Sequence, residues 1–105
     1  MDKRDDIIAK VRAYKTLVTP TFPLKIDRVY LFGSYAKGTP HKDSDIDVAF
    51  VVDSYGDDYD FMVTEPPLWN LTRQVDLRIE PHVIARDTDY AGFLDEIQRT
   101  GVEIY

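Results

Sequence analysis

The stretch LFGSYAKGTPHKDSDIDVAFVV, residues 31–52, decides the fold of this chain. An apolar segment ends in a Gly-Ser pair, a polar loop follows, and a second apolar segment begins at Asp45-Ile-Asp47. Because side chains alternate along a strand, Asp45 and Asp47 are predicted to share one face while Ile46 points into the core. Two carboxylates this close repel each other unless a positive charge lies between them. The stretch therefore predicts either a solvated turn or a metal site.

The segments around this stretch predict a small α/β fold with helices covering one face of a sheet. The pattern predicts an amphipathic helix over residues 2–17, strands over 26–33, 45–53 and 74–85, one helical turn at SYAK, and a last helix over 88–101. The continuous apolar run 48–52 is typical of a central strand that is covered on both faces. Between the second and third strands, Pro66-Pro67 predicts a loop or a broken helix.

Composition limits the possible classes of protein. With 105 residues, the chain is expected to form one domain over residues 1–105. The net charge of −6 argues against direct DNA binding, and the absence of cysteine excludes disulfides and thiolate chemistry. No apolar run is long enough for a membrane helix, so a cytoplasmic protein without membrane contact is expected. His41 and His82 have no third ligand nearby in the sequence, so a zinc site is not expected.

Three aspartates could converge on a metal ion. Asp76 is predicted to begin the third strand, and period-two alternation places it on a polar face with Arg78 and Glu80. If this strand lies beside the second one, Asp76 meets Asp45 and Asp47, a ligand set that suits Mg²⁺, two ions of which could assist a phosphoryl transfer. Arg78 and Glu80 would form either a cross-strand ion pair or a support for the metal ligands.

The turn before the loop has features of a phosphate site. Gly33 allows the backbone to turn and a phosphate to approach closely, and Ser34 offers a hydroxyl and a backbone N–H. Lys37 could add a positive charge. The pattern is neither a P-loop nor a dinucleotide-binding fingerprint.

Together, Gly33-Ser34, the ten-residue spacing to Asp45-x-Asp47, and Asp76 in VDLRI resemble the signature of the nucleotidyltransferase superfamily related to DNA polymerase beta. The short chain is similar to the minimal nucleotidyltransferases, or MNT proteins. This resemblance implies a small mixed β-sheet with helices packed mainly on one face. It also implies an enzyme that transfers a nucleoside monophosphate from ATP or another nucleoside triphosphate to a hydroxyl group with the help of Mg²⁺.

The resemblance also implies roles for single residues. Asp45 and Asp47 would bind both metal ions, and Asp76 would complete one metal site and accept the proton of the attacking hydroxyl. Ser34 would hold the terminal phosphates, Gly33 would permit their approach, and Lys37 matches a position that is commonly basic.

Minimal members are commonly paired with a small helical partner of the HEPN type in toxin–antitoxin modules, and some transfer AMP to that partner. The resemblance therefore implies a protein adenylyltransferase that acts as an antitoxin. Two alternatives stay open: an antitoxin that neutralises its partner by binding alone, and the nucleotide-binding half of a split transferase acting on a small molecule such as an aminoglycoside. An open active site also leads us to expect either a partner or a homo-oligomer.

Overall fold

The computed structural model describes residues 3–41, 44–89 and 92–105. The helices are α1 (Arg4–Val18), α2 (Ser34–Lys37), α3 (Phe61–Thr64), α4 (Pro66–Leu71) and α5 (Phe93–Thr100), with short 3-10 turns at Thr72–Gln74 and Arg86–Thr88. The strands are β1 (Arg28–Phe32), β2 (Ile46–Val52), β3 (Ile79–Ala85) and β4 (Val102–Glu103). The predicted break at the prolines is confirmed, since α4 begins at Pro66 directly after α3.

The four strands form one mixed sheet in the order β3-β2-β1-β4. β1 is antiparallel to both β2 and β4, whereas β2 and β3 are parallel. As the apolar run predicted, β2 is a central strand, and six of its seven residues are buried. The predicted fold class, a small mixed sheet with helices, is confirmed.

One face of the sheet carries the main core. Helix α1 buries Ile7, Val11, Tyr14 and Val18, which recur at helical spacing, against the inward side chains of β1 and β2. The hydroxyl of Tyr14 donates to the carbonyl of Leu68 and so joins α1 to α4. Burial raises the pKa of Tyr14, so the side chain stays a neutral donor.

The opposite face is only partly covered. Leu94 and Ile97 of α5 pack on Tyr30, Ala49 and nearby apolar side chains of this face. Near the starts of β2 and β3, this face carries the polar side chains of Asp47 and Glu80, which belong to the site described below. Helices therefore cover mainly one face, with α5 alone on the other among the described helices.

The third strand begins at Ile79, five residues after the start of the predicted range 74–85. Asp76 lies in a turn: its backbone N–H donates to the carbonyl of Thr72, and its carbonyl accepts from the N–H of Ile79. Its side chain also accepts from the backbone N–H of Arg78, which closes a local loop that competes with strand pairing. The alternation at 75–78 was therefore wrongly read as strand, and Leu77 is largely exposed.

In the described part of the chain, no helix combines the length and apolar character needed to cross a bilayer.

Candidate active site

The site begins where β1 ends beside β2. Phe32 is paired with Asp47 in the antiparallel ladder, and Gly33 follows at once with φ 77° and ψ −153°. Only glycine adopts this backbone region readily. A Cβ at Gly33 would lie 2.3 Å from Oδ2 of Asp47, so the absence of a side chain makes room for that carboxylate.

The second carboxylate of the site comes from β3. In the parallel ladder, Glu80 is the direct partner of Asp47. Because side chains alternate between the two faces of a sheet, both carboxylates lie on the face that α5 covers. Desolvation raises the pKa of Glu80, and the nearby Asp45 and Asp47 carboxylates raise it further. Asp45 itself is exposed just before β2. Asp45, Asp47 and Glu80 therefore form a crowded group of like charges.

A histidine faces the same group. Nε2 of His82 lies 3.5 Å from Oδ1 of Asp47 and 4.0 Å from Oε1 of Glu80. This atom is buried and has no hydrogen-bond partner among the described residues. Within the described ranges, ligand atoms of Asp47, Glu80 and His82 all lie within 4.8 Å of one another. Such a group is a possible cation site.

Asp76, the predicted third carboxylate, is not brought to this group. Its carboxylate accepts from Lys10 of α1 at 2.8 Å and from the Arg78 guanidinium at 2.7 Å. Hydrogen bonds from Arg78 first, and then from Lys10, hold the pKa of Asp76 well below its usual range. Arg78 also donates to the hydroxyl of Tyr35 in α2. Asp76 thus anchors three segments of the chain, while Glu80 occupies the position beside Asp47.

Glu80 and His82 were not predicted as ligands of this group. Glu80 was predicted only to form an ion pair or to support the metal ligands, and His82 was not expected to bind a metal. The usable signal was the period-two run Glu80-Pro-His82 on a strand parallel to β2, which places both side chains on the face of Asp47. The missing information was the register, which depends on where the turn around Asp76 ends.

The predicted phosphate residues lie at the same end of the sheet. Ser34 is the first residue of α2 and is half-buried directly after Gly33. Lys37 is the last residue of that helix and is exposed. The structure thus places Gly33 against Asp47 with Ser34 next in the chain, and leaves Lys37 three residues beyond Ser34 on the surface.

A groove of about 500 Å³ lies along β3 from Pro81 to Ala85. The half-exposed aromatic side chains of Phe61, Trp69 and Phe93 line its walls. His82 lines this groove and also belongs to the group with Asp47 and Glu80, so it connects the two.

Comparison with known proteins finds a matching family and a similar relative. Residues 18–105 match the family described as "Polymerase beta, Nucleotidyltransferase". Over 99 residues, the chain is 30% identical to "Putative protein adenylyltransferase MJ0141" of Methanocaldococcus jannaschii, and the match covers 94% of this chain and 99% of that protein.

Solved structures share the fold. A Sulfolobus solfataricus protein described as a "putative nucleotidyltransferase" superposes with a TM-score of 0.66 at 21% identity, over 98% of this chain and 83% of the other. A "toxin-antitoxin with AMP-PNP" gives a TM-score of 0.64 at 22% identity, and a mutant of the "toxin-antitoxin MntA-HpeT" gives 0.61 at 20%. In both of the latter, the match covers 93% of this chain and 72% of the other.

Proposed function

The chain belongs to the polymerase beta nucleotidyltransferase family, and on that premise we propose that it transfers AMP from ATP to a hydroxyl group of a partner protein. The observation that carries the proposal is the convergence of Asp45, Asp47 and Glu80 beside the turn at Gly33-Ser34. We assign the third carboxylate of the reaction to Glu80. Asp76, for which the resemblance implied that role, instead positions the loop that leads into β3.

The donor set fits a divalent cation. Desolvation and the nearby Asp45 and Asp47 carboxylates raise the pKa of Glu80. Nε2 of His82, which is buried and has no hydrogen-bond partner among residues 3–41, 44–89 and 92–105, faces the same carboxylates. We expect Asp45, Asp47 and Glu80 to hold Mg²⁺, as a pair of ions if the site follows the pattern of its family. Bound there, the cations would neutralise the triphosphate and the pyrophosphate that leaves.

The chain's own groups then have distinct tasks. Ser34 binds the terminal phosphates through its hydroxyl and backbone N–H, and Gly33 leaves the space that they need. The acceptor oxygen forms a bond to the α-phosphorus while the bond from that phosphorus to the β-phosphate bridge oxygen breaks, and pyrophosphate leaves. We propose that the carboxylate of Glu80 accepts the proton of the attacking hydroxyl, because β3 borders the groove through which an acceptor would enter.

The open groove supports a protein as the acceptor. Its walls expose aromatic rings to solvent, and the neighbouring residues Met62 and Val63 of α3 are 84% and 68% exposed. Large contiguous apolar surface of this kind is typical of a protein-binding site. A relative named as a protein adenylyltransferase and neighbours from toxin–antitoxin structures support the same acceptor class. We therefore propose a small helical HEPN-type toxin as the partner, with this chain as its antitoxin.

The proposal is tested with ATP labelled at either the α- or the γ-phosphate, Mg²⁺, and a purified HEPN-type candidate. We expect the partner to acquire label from α-labelled ATP and none from γ-labelled ATP, because AMP is transferred and pyrophosphate leaves. Asp47→Asn and Glu80→Gln should each lower the transfer by at least about a hundredfold. Asp53→Asn is the matched control, since Asp53 is an exposed aspartate at the far end of β2.

Two outcomes would overturn the proposal. Label from the γ-phosphate would mean phosphorylation, and equal transfer by Asp47→Asn would mean that the carboxylates are not catalytic. If the Asp47→Asn variant transfers nothing but still protects cells from the partner, neutralisation rests on binding alone.

A further inference from the structure

His82 is held rigidly at the edge of the carboxylate group. Its ring meets the ring of Phe32 edge to face at a centroid distance of 5.2 Å, and Phe32 meets Phe93 of α5 in the same manner at 5.7 Å. The backbone of His82 is fixed in β3 opposite Ala49. This row of rings ties the imidazole to the helix that covers this face of the sheet.

The orientation of the ring leaves one nitrogen buried, with no hydrogen-bond partner in the part of the chain that the structure describes. About a third of the side chain is exposed, yet Nε2 is buried and faces Asp47 and Glu80. Buried polar atoms nearly always have a partner, so an orphan of this kind needs an explanation. The distances of 3.5 and 4.0 Å to the two carboxylate oxygens are longer than hydrogen bonds. They lie between the roughly 3 Å that separates adjacent ligand atoms and the roughly 4 Å that separates opposite ligand atoms on one octahedral divalent ion.

The Asp47 carboxylate is held between two neighbours. Its Oδ2 fills the space above Gly33, and its Oδ1 faces His82. An ion placed on Oδ1 and on the Glu80 carboxylate would therefore also meet Nε2, since ligand atoms of the three residues lie within 4.8 Å of one another.

We propose that Nε2 of His82 is a direct metal ligand together with Asp47 and Glu80, and that this mixed site prefers Mn²⁺ to Mg²⁺. Imidazole favours transition ions, whereas Mg²⁺ prefers a shell made of oxygen. Loss of the imidazole should therefore weaken the binding of Mn²⁺ far more than the binding of Mg²⁺. The role of the ion in nucleotide transfer rests on the proposed function, whereas its binding at this site does not.

The test is a spectroscopic one on the full chain with Mn²⁺ alone. Electron spin echo spectra of bound Mn²⁺ should show modulation from a directly coordinated imidazole nitrogen, and incorporation of histidine labelled with the heavier nitrogen isotope should change it. His82→Gln should abolish the modulation. It should also lower the affinity for Mn²⁺ by at least about tenfold while changing the affinity for Mg²⁺ by less than about threefold. His41→Gln is the matched control, because His41 is exposed in the polar loop.

The isotope experiment uses the unaltered sequence, so a folding defect in a variant does not affect it. The inference is overturned if Mn²⁺ does not bind, if bound Mn²⁺ shows no histidine nitrogen, or if the nitrogen signal persists in His82→Gln. If label transfer from ATP succeeds without a nitrogen ligand, only the role of His82 fails. If Mn²⁺ is ligated by His82 but no nucleotide is transferred, only the proposed function fails.

Discussion

Gly33→Ala tests how tightly the turn and the carboxylate are fitted together. The backbone of Gly33 lies at φ 77° and ψ −153°, where a side chain costs about 1–3 kcal/mol. The new Cβ would also lie 2.3 Å from Oδ2 and 3.2 Å from Cγ of Asp47, and displacing that carboxylate adds about 1 kcal/mol. We therefore expect the free energy of unfolding to fall by about 2–4 kcal/mol. Gly38→Ala should cost only about 1 kcal/mol, because Gly38 has φ 75° with open space around it.

A double-mutant cycle separates the backbone strain at residue 33 from the contact of the new Cβ with the Asp47 carboxylate. Urea unfolding followed by circular dichroism would be measured for Gly33→Ala, Asp47→Ala and the double variant. Asp47→Ala alone should be neutral or stabilising, since it relieves repulsion among carboxylates. In the Asp47→Ala background, Gly33→Ala should cost about 1 kcal/mol less than in the parent. Equal costs in both backgrounds, or a cost no larger than that of Gly38→Ala, would refute the reasoning.

Three further changes test the supports of the site. Asp76→Asn should lower the free energy of unfolding at pH 7 by about 2 kcal/mol. Because the pKa of Asp76 is lowered in the folded chain, the difference between the two proteins should shrink as the pH falls below about 4. Urea unfolding measured over a series of pH values would reveal this. Tyr14→Phe should cost about 1 kcal/mol in urea unfolding through its lost bond to α4, while the exposed Tyr105→Phe should change nothing. Ile97→Ala should cost about 2–4 kcal/mol, against less than about 0.5 kcal/mol for the exposed Gln98→Ala, measured by thermal and urea unfolding.

The elements that carry strong periodicity were predictable. The apolar spacing of α1 and the continuous apolar run of β2 reflect burial, which the sequence records directly. The Gly33-Ser34 turn and the pair Asp45 and Asp47 were also predictable, because their spacing places them on the ends of neighbouring strands.

The carboxylate that lies beside Asp47 on the neighbouring strand was not predictable from the pattern alone. Residues 75–80 alternate as a strand would, but the carboxylate of Asp76 binds the backbone and side chain of Arg78 and holds a turn instead. Which acidic residue faces Asp47 depends on the register of a parallel pair, and that register is set by long-range contacts such as Lys10 with Asp76. The position of His82 beside Asp47 depends on the same register.

The edge strand β3 has a further consequence. The N–H of Ile46 donates to the carbonyl of Arg78, so the odd-numbered residues of β3 turn their backbone groups away from β2. Of these, Pro81 has no N–H to offer, and the carbonyl of Val83 already accepts from the hydroxyl of Tyr55 at 2.8 Å. The open edge is thus a poor template for a fifth strand, which protects the chain from edge-to-edge aggregation. A protein that reaches the groove must be recognised through side chains, so its specificity can change by single substitutions without any change in the sheet.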